Sequence, residues 1–334
     1  MNDKPKIVIT DYDYGDVSIE SKILEDAGAE VIPLQAKSEE DLFDVAKNCF
    51  GMISQYSSIG SRTIKRMQNC KIIARYGIGV DIVDVNAATE KGILVTNVRD
   101  YCTEEVADHA LALWLNLTRK IQIYDKATKS GIWKWQSGAP IYRIQGKTMG
   151  IVSFGKIGKA IAKRALAFGV EIVVYDPFLS EKDIQEGGGR KVDKETLLKK
   201  ADYVIMQAPM NSETRYFLSH KEFAIMKPTA IVINTGRGPT IDNKALYKAL
   251  TENMIAAAGL DDPEEEPAKL ATWSPNDNPI FGLPNVIVTP HVAYYSEDSI
   301  QDARETAANE VASALLGRKP RFPVNADALI TTNQ

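Results

Sequence analysis

The chain has 334 residues, which exceeds the size of a usual single hydrophobic core, so two domains are predicted. Its hydrophobic fraction of 44% and charged fraction of 25% are typical of a soluble globular protein. The formal net charge of −4 gives no electrostatic case for a nucleic-acid or anionic-membrane partner. Three unclustered cysteines and the lack of a long apolar run favour a cytoplasmic protein without a membrane span.

Short β-branched strands alternate with helical patterns along the chain. A first series of strands is predicted at residues 6–10, 30–34, 51–54, 71–75 and 93–96. A second series is predicted at residues 148–153, 170–175, 203–207, 230–234, 256–260 and 286–289. Strands that alternate with helices in this way predict parallel sheets in an α/β fold.

Two long helical patterns connect the two series. The first runs uninterrupted from about residue 103 to 130 and is bounded by Thr103 and Gly131, and the second covers residues 296–316. A helix that leaves the first domain, and a last helix that returns to it, would make that domain discontinuous. We therefore predict one domain of residues 1–101 and 291–334, and another of residues 102–290.

A glycine turn opens the second series of strands. The segment from Met149 to Gly158 reads as a strand, a turn and a helix start, and Asp176 ends the next strand. This order predicts a dinucleotide site, because the N–H groups at the helix start and the helix dipole favour a pyrophosphate. A carboxylate about 20 residues on can bond the ribose hydroxyls. Ser153 departs from the glycine fingerprint, whereas Gly155 and Gly158 keep it.

Three polar segments follow strands of the second series, at the sheet edge where doubly wound folds bind ligands. Arg237 lies between two glycines and can bind a carboxylate, with a surface loop as the alternative. The acidic loop at residues 261–266 is mostly a solvated loop, but one of its carboxylates could partner a histidine. His291 lies between a strand and a helix, where an imidazole can move protons near neutral pH.

Other chemistries are disfavoured by the same residues. His109 lies inside the first long helical pattern, where a structural role is the favoured interpretation, and His220 opens a short helix and is expected to be exposed. The histidines and cysteines show no zinc-ligand spacing, so no metal site is predicted. The chain has no P-loop and no G-x-S-x-G elbow, which argues against nucleotide hydrolysis and serine-hydrolase chemistry.

Taken together, these motifs resemble the D-isomer-specific 2-hydroxyacid dehydrogenases from about residue 50 to 325. The phrases at residues 75–81 and 289–297 look closest to the C-terminal-binding-protein branch, with phosphoglycerate dehydrogenases and glyoxylate/hydroxypyruvate reductases as near relatives. The resemblance implies a Rossmann NAD domain inserted into a flavodoxin-like substrate domain. It also implies a homodimer, joined through the cofactor domain with the first long helix at the interface.

The resemblance implies site residues one by one. Arg237, Glu266 and His291 match the catalytic arginine, glutamate and histidine. The substrate carboxylate would be held by the segment that matches the family's carboxylate-binding loop, Arg75, Tyr76, Gly77, Ile78 and Gly79. Tyr294 stands where corepressor proteins carry a tryptophan over the substrate. The cofactor positions that match are Val106, Gly155, Lys156, Ile157, Asp176, Pro209, Thr235, Gly236 and Asp261.

The predicted function is NAD(H)-dependent interconversion of a small 2-keto acid and its D-2-hydroxy acid. NAD is expected rather than NADP, because Asp176 would repel a 2′-phosphate and no arginine follows it. Aromatic residues at the expected pocket mouth, Tyr76, Tyr294 and Trp273, favour a substrate larger than glyoxylate. The alternatives are an NAD(H)-sensing binding protein of the corepressor type and a short phosphoglycerate dehydrogenase.

Overall fold

The computed structural model describes residues 4–264 and 272–332, and in it the chain divides into two compact units. One unit comprises the residues up to Cys102 and from Ser296 onward, and the other is Thr103–Tyr295. The predicted second boundary was residue 290/291, so His291 lies in the second unit rather than the first. The reason is local: the N–H groups of His291, Val292 and Ala293 all donate to Asp261 of the second unit.

The first unit is built on a five-stranded parallel sheet in the order β2-β1-β3-β4-β5. This is the strand order of flavodoxin-like folds. Its strands are β1 Lys6–Ile9, β2 Glu30–Pro33, β3 Cys49–Ser54, β4 Ile72–Arg75 and β5 Leu94–Thr96. Its helices are α1 Ser18–Asp26, α2 Phe43–Ala46, α3 Ser61–Arg66, α4 Val85–Glu90, α12 Glu297–Leu315 and α13 Ala326–Thr332.

The second unit carries a seven-stranded parallel sheet in the order β12-β11-β10-β9-β6-β7-β8. Read from β8, this is the dinucleotide-binding order with one strand added. Its strands are β6 Thr148–Val152, β7 Glu171–Tyr175, β8 Arg190–Lys191, β9 Tyr203–Met206, β10 Ile231–Asn234, β11 Ala257–Leu260 and β12 Val286–Val288. Its helices are α5 Thr103–Arg119, α6 Ile121–Lys129, α7 Lys156–Ala165, α8 Glu181–Glu186, α9 Lys194–Lys200, α10 His220–Ile225 and α11 Asn243–Thr251.

The prediction of two parallel-sheet α/β domains is confirmed. All the predicted strands are present within two residues of their expected bounds, and among the strands of residues 4–264 and 272–332 only the two-residue β8 had no prediction. None of the helices in the described part of the chain combines the length and apolar character that a bilayer crossing requires.

The predicted uninterrupted helix over residues 103–130 is wrong. It is two helices, α5 and α6, which are separated at Lys120 by a left-handed backbone (φ 54°). The side chain of Asn116 accepts a hydrogen bond from the N–H of Gln122 at 3.0 Å. That bond supplies one of the orphaned donors at the start of α6, so the side chain of α5 stabilises the break.

Candidate active site

The glycine turn between β6 and α7 requires an unusual backbone at Ser153. Ser153 has φ 74°, the left-handed conformation for which glycine is the usual choice. A Cβ at Gly158 would lie 2.6 Å from the Ser153 carbonyl oxygen, so only glycine fits there. The turn is therefore the tight one that the sequence predicted, with serine under strain at its first position.

The N-terminus of α7 offers an open surface. Gly155 is the N-cap, and a Cβ on it would meet no atom within 4 Å. Lys156 is exposed and Ile157 is half-buried at the same helix start. Backbone N–H groups at a helix N-terminus with free space beside them suit a pyrophosphate, so these residues fit the dinucleotide implied by the sequence.

Asp176 follows β7 and has two roles in its surroundings. Its Oδ2 accepts the N–H of Phe154 in the glycine turn at 2.9 Å. Its Oδ1 accepts the N–H groups of Phe178 (2.9 Å) and Leu179 (3.3 Å). The carboxylate thus fixes the turn directly, and an ionised carboxylate still has capacity for about one further bond.

A surface pocket of about 620 Å³ adjoins Asp176. Its charged lining mixes the acids Glu181 and Asp193 with the cations Arg190 and Lys191. Lys191 donates to the carbonyl of Leu179, which ties β8 to the loop after β7. Arg190 is exposed at this pocket, so cations as well as acids lie near the carboxylate that the sequence assigned to the ribose.

The other residues predicted to line the cofactor differ in exposure. Thr235 and Gly236 follow β10, and the Thr235 hydroxyl accepts a hydrogen bond from the side chain of Gln207. Pro209 is exposed in the loop after β9, whereas Val106 on α5 is only 6% exposed. These four residues lie in the second unit with the glycine turn and Asp176.

The backbone of Arg237 is held rigidly after β10. The buried Asn234 side chain donates to the Arg237 carbonyl at 3.0 Å, and the Thr240 hydroxyl donates to the same carbonyl at 2.6 Å. The Arg237 guanidinium donates through Nη1 to the Gly236 carbonyl at 3.0 Å. Two hydrogen bonds therefore fix the backbone of Arg237, and the bond to Gly236 helps to orient its half-buried side chain.

The loop after β11 passes against Arg237's own loop. A Cβ on Gly238 would lie 2.4 Å from the carbonyl carbon of Pro263, so glycine is needed for the two backbones to approach. Glu264, next in this loop, accepts hydrogen bonds from the hydroxyl of Tyr216 and the N–H of Asn243. Glu266, which the sequence assigned to the catalytic set, lies outside the described residues.

Asp261 holds the segment that carries His291. Its Oδ1 accepts the Thr289 hydroxyl at 2.6 Å and the Val292 N–H at 3.0 Å. Its Oδ2 accepts the Ala293 N–H at 2.8 Å, and its carbonyl accepts the His291 N–H at 2.7 Å. The buried carboxylate predicted for a nicotinamide contact is therefore also the support of the candidate proton donor.

His291 adopts a left-handed backbone with φ 54°, which is uncommon for a residue with a side chain. Its ring is half-buried and meets the Tyr294 ring edge-to-face, with 6.2 Å between centroids. Strained backbones of this kind persist where the surroundings over-determine them, often at active sites. Asp261 supplies that constraint here.

In the first unit, Arg75 passes over Gly77. A Cβ on Gly77, at φ 134°, would lie 1.6 Å from Nη1 of Arg75. The buried Nε of Arg75 has no hydrogen-bond acceptor among the described residues. A buried guanidinium donor without an acceptor is costly, so an anion bound to Arg75 would remove an existing penalty.

Tyr76 does not line a pocket mouth, contrary to the prediction. Its side chain is 2% exposed, and its hydroxyl donates to Glu20 at 2.9 Å. Burial, together with the charge of Glu20, raises the pKa of Tyr76, so the hydroxyl remains a donor. The residue points into the core of the first unit, and its N–H donates to the Ser54 carbonyl.

Two backbone N–H groups of the 75–79 loop remain available to a ligand. The N–H groups of Tyr76 and Gly77 donate to the carbonyls of Ser54 and Arg75. Over residues 4–264 and 272–332, no hydrogen bond involves the N–H of Ile78 or Gly79. These two donors, together with Arg75, are the groups of this loop that suit a carboxylate.

Two residues of the second unit were missed by sequence reasoning. Thr289 and His109 join Asp261 through their side chains, with His109 Nε2 3.0 Å from Thr289 Oγ1 and 3.6 Å from Asp261 Oδ1. The sequence favours a structural role for His109 because it lies inside a helical pattern. No sequence signal joins residues 109 and 289, since the contact spans 180 positions.

Comparison with known proteins decides the family. Residues 111–293, more than half of the chain, match the family described as D-isomer specific 2-hydroxyacid dehydrogenase, NAD binding domain. The chain belongs to the D-isomer specific 2-hydroxyacid dehydrogenase family. The members to which it is compared below are oxidoreductases, and the matched domain binds NAD.

Two relatives and one solved structure place it within the family. It is 38% identical to a glyoxylate reductase of Thermococcus litoralis, over 82% of each chain. It is 37% identical to a D-3-phosphoglycerate dehydrogenase of Methanocaldococcus jannaschii over 96% of its own length, but it spans only 59% of that relative. A D-lactate dehydrogenase of Aquifex aeolicus, solved with NAD and lactic acid, superposes with a TM-score of 0.84 at 26% identity, covering 93% of this chain and 96% of that chain.

Proposed function

We propose that this family member interconverts a small 2-keto acid and its D-2-hydroxy acid with NAD(H). The observation that carries the proposal is His291, whose left-handed backbone is fixed by Asp261 at the carboxyl edge of the second sheet. His291 follows β12 and Arg237 follows β10, so both lie at the carboxyl edge of the same parallel sheet. A strained histidine and a fixed cation at one sheet edge support the roles of proton donor and charge stabiliser.

In reduction, the charged His291 imidazolium donates a proton to the substrate carbonyl oxygen. Arg237 provides a fixed positive charge for the negative charge that develops on that oxygen. When bound, NADH supplies the hydride that reduces carbon 2 of the keto acid. Glu266 remains the proposed partner that holds the imidazolium, by family resemblance.

Carboxylate binding is proposed for Arg75 and the N–H groups of Ile78 and Gly79. The support lies in the first unit alone: a buried guanidinium Nε without an acceptor and two N–H groups without hydrogen bonds in the described chain. Two backbone donors and a guanidinium can bind both oxygens of one carboxylate.

The substrate class within the family stays open between named alternatives. The compared relatives are named as a glyoxylate reductase, a phosphoglycerate dehydrogenase and a lactate dehydrogenase, which favours turnover over a purely NAD(H)-sensing protein of the corepressor type. Of the aromatic residues expected at the pocket mouth, Tyr76 is buried, whereas Tyr294 and Trp273 remain proposed there. Trp273 is 46% exposed, and its ring contacts that of Phe281. A panel of glyoxylate, pyruvate, hydroxypyruvate and 3-phosphoglycerate, assayed with NADH or NAD as appropriate, separates these alternatives.

His291 provides the direct test of the proposed function. We expect His291→Gln to lower kcat for keto-acid reduction at least about 100-fold, the usual loss when a general acid is removed. NADH binding, measured by fluorescence titration, should stay within about 3-fold of wild type. His220→Gln is the matched control, since His220 is exposed at the start of α10.

Full activity in the His291 variant would exclude His291 as the proton donor. Glu266→Gln should lower the apparent pKa in the pH–rate profile for reduction, because an imidazolium without an anionic partner loses its proton more easily. A profile that does not move would remove Glu266 from the mechanism.

We also propose that the chain forms a homodimer through the second unit. The apolar stripe predicted for the interface is Val106, Ala110, Leu113 and Leu117. Ala110 and Leu113 are instead buried in the core of their own unit, Leu117 packs against that core, and Val106 is only 6% exposed. A group of exposed apolar side chains lies nearby in the chain, on α6 and after it: Ile121, Ile123, Ile132, Trp133 and Trp135.

An apolar pocket of about 370 Å³ in the same unit could receive such side chains. Its lining includes Ile123, Tyr142, Tyr203, Ile255 and Ile287. Tyr203 is the first residue of β9, so the pocket lies at the amino edge of the sheet, opposite to Asp176 and His291. The exposed tryptophans of one copy could enter the apolar pocket of a second copy, and the reverse contact would form at the same time. The presence of both features on one unit therefore supports an interface between two copies.

A further inference from the structure

His109, on α5, begins a series of hydrogen bonds that runs through Thr289 and Asp261 to the residues directly after His291. Its Nε2 lies 3.0 Å from Thr289 Oγ1, and that hydroxyl donates to Asp261 Oδ1 at 2.6 Å. Asp261 in turn accepts the N–H groups of Val292 and Ala293. The three side chains connect a helix and two strand ends within the second unit.

The direction of these hydrogen bonds follows from what each group can do. A carboxylate can only accept, so the Thr289 proton is on the bond to Asp261. The Thr289 oxygen must then accept from His109, and Nε2 of His109 therefore carries a proton. His109 thus has a defined role as a donor, and an apolar residue in its place would leave the Thr289 oxygen without that bond.

Because Asp261 and His109 are largely shielded from solvent, these hydrogen bonds restrict the backbone next to His291. The Asp261 side chain is 2% exposed and that of His109 is 23% exposed. The two Asp261 oxygens hold consecutive N–H groups directly after His291, which is itself in the left-handed region. Any rotation of the carboxylate would loosen the backbone that aims the His291 ring.

We propose that His109 is a positioning residue that orients Asp261 through Thr289 and thereby holds His291 in place. The inference rests on the proposed function of His291 as the proton donor. His109 does not need to touch the substrate, and its effect should fall on the chemical step rather than on binding of the keto acid.

The test compares His109→Leu, which cannot donate, with His109→Gln, which keeps an N–H donor at similar reach. We expect His109→Leu to lower kcat about 10-fold, as for coupled neighbours in one network, with KM for the keto acid changed less than about 3-fold. His109→Gln should recover kcat to within about 3-fold of wild type. His220→Leu serves as the control, since it removes an exposed histidine of the same unit.

Thr289→Val completes a double-mutant cycle. Because both residues act through one chain of bonds, Thr289→Val should match His109→Leu, and the double variant should lose little more than either single one. A readout without catalysis is the hydrogen exchange of the Val292 and Ala293 amides in the protein without NADH. Both amides should exchange about 10-fold faster in His109→Leu than in wild type.

Each result decides the inference. Unchanged kcat and unchanged exchange in His109→Leu would overturn it while leaving the proposed function intact. The same is true if His109→Gln is as slow as His109→Leu, because the donor would then not be what matters. Should wild type reduce none of the keto acids, the proposed function fails, and amide exchange alone decides whether His109 orders the loop.

Discussion

Asp176 illustrates how one side chain can support both a turn and a ligand preference. Its carboxylate accepts three backbone N–H groups and is only 7% exposed. We therefore predict that Asp176→Ala lowers the free energy of unfolding by about 2 to 3 kcal/mol, since hydrogen bonds to a buried charge are lost. It should also weaken NADH binding and relax discrimination against NADPH. Thermal unfolding and cofactor titration measure the two effects separately.

Asp176→Asn removes the charge but keeps one acceptor oxygen, which can serve the N–H of Phe154 or those of Phe178 and Leu179, but not both sides. It should lose less stability than Asp176→Ala and still relax discrimination against NADPH. Arg190, exposed at the same pocket, is a cation that could bind a 2′-phosphate, so adding Arg190→Ala should restore part of the preference for NADH. Equal use of both cofactors by wild type would contradict the role given to Asp176.

Gly77 provides a test of the substrate loop that does not remove any charge. A Cβ there would lie 1.6 Å from Arg75 Nη1, so Gly77→Ala must displace the guanidinium. We predict a rise of at least about 10-fold in KM for the keto acid with a smaller change in kcat, as for lost uniform binding. Arg75→Ala should behave alike, whereas Arg237→Ala should damage both parameters. Steady-state kinetics on the best keto acid of the panel measures this.

Gly92→Ala is the control that separates backbone strain at a substituted glycine from displacement of the Arg75 guanidinium. Gly92 also has a left-handed backbone, at φ 70°, in the same unit, but its Cβ would meet nothing within 4 Å. It should lose stability without a change in KM. If Gly77→Ala and Arg75→Ala both leave KM unchanged, the carboxylate site is misplaced.

Some residues of the site could be located from the sequence, and others could not. Ser153, Asp176, Arg237 and His291 could be placed at strand ends because apolar runs fix where each strand stops. The orientation of Tyr76 could not be predicted, since its ring packs in the core of the first unit and its hydroxyl donates to Glu20 of α1. That contact joins residues 56 positions apart, and the local patterns of a single sequence do not reveal which distant residues meet.

At the scale of elements, helices α1 and α12 are joined by a buried ion pair. Arg304 donates to both oxygens of Glu20 at 2.8 Å, and Glu20 is fully buried. We predict that Arg304→Met lowers the free energy of unfolding by about 3 to 5 kcal/mol, because Glu20 is left as an unpaired buried charge. Chemical denaturation measures the loss. The double variant Glu20→Leu with Arg304→Met should recover much of it, and equal stability of Arg304→Met and wild type would contradict the account.

Arg304 also forms an ion pair with Asp16, which predicts that stability depends on pH. Hydrogen bonds from Ser18, together with Arg304, lower the pKa of Asp16 to about 2. A depressed native pKa contributes stability above the unfolded value of 3.8, and that stability is lost as the pH falls toward 2. The stability difference between wild type and Asp16→Asn should therefore be constant at neutral pH and shrink below about pH 4. Urea denaturation at several pH values tests this, and a difference that grows on acidification would refute it.

Strands and helices could be predicted from the sequence where a continuous apolar run or a helical pattern marks them. Buried strands such as Tyr203–Met206 are continuous apolar runs, so their positions followed directly. The two-residue β8 has no such run and was missed. The break at Lys120 was missed because α5 and α6 share a continuous helical pattern, and the interrupting bond between Asn116 and Gln122 is a detail of side-chain geometry.

At the scale of the whole molecule, the topology followed from the alternation of strands and helices, and the division into units from the two long helical patterns. The predicted boundary at which the chain returns to the first unit, before residue 291, lies five residues before the one in the structure, Ser296. The segment after His291 bonds to Asp261 rather than to the first sheet, and hydrogen bonds to a side-chain carboxylate leave no periodic signal. Family membership narrowed the chemistry, since residues 111–293 match one family.

Assembly is the property of the whole molecule that can be tested most simply. Trp133 and Trp135 are 87% and 71% exposed, and a tryptophan covers about 150 to 250 Å² when buried. Together with the exposed isoleucines of α6 they make up a substantial part of the about 800 Å² that a stable interface buries on each partner. We predict that light scattering at micromolar concentration gives a mass near twice the chain mass of 36.8 kDa.

Substitution of both tryptophans by serine should yield the single-chain mass, because the apolar contact that favours association is lost. Phe178→Ser is the matched control, since Phe178 is 91% exposed in the same unit but away from α6, and it should leave the mass of the assembly unchanged. A wild-type mass near 36.8 kDa would rule out the dimer. A dimer that survives loss of both tryptophans would place the interface on another surface of the second unit or on the first.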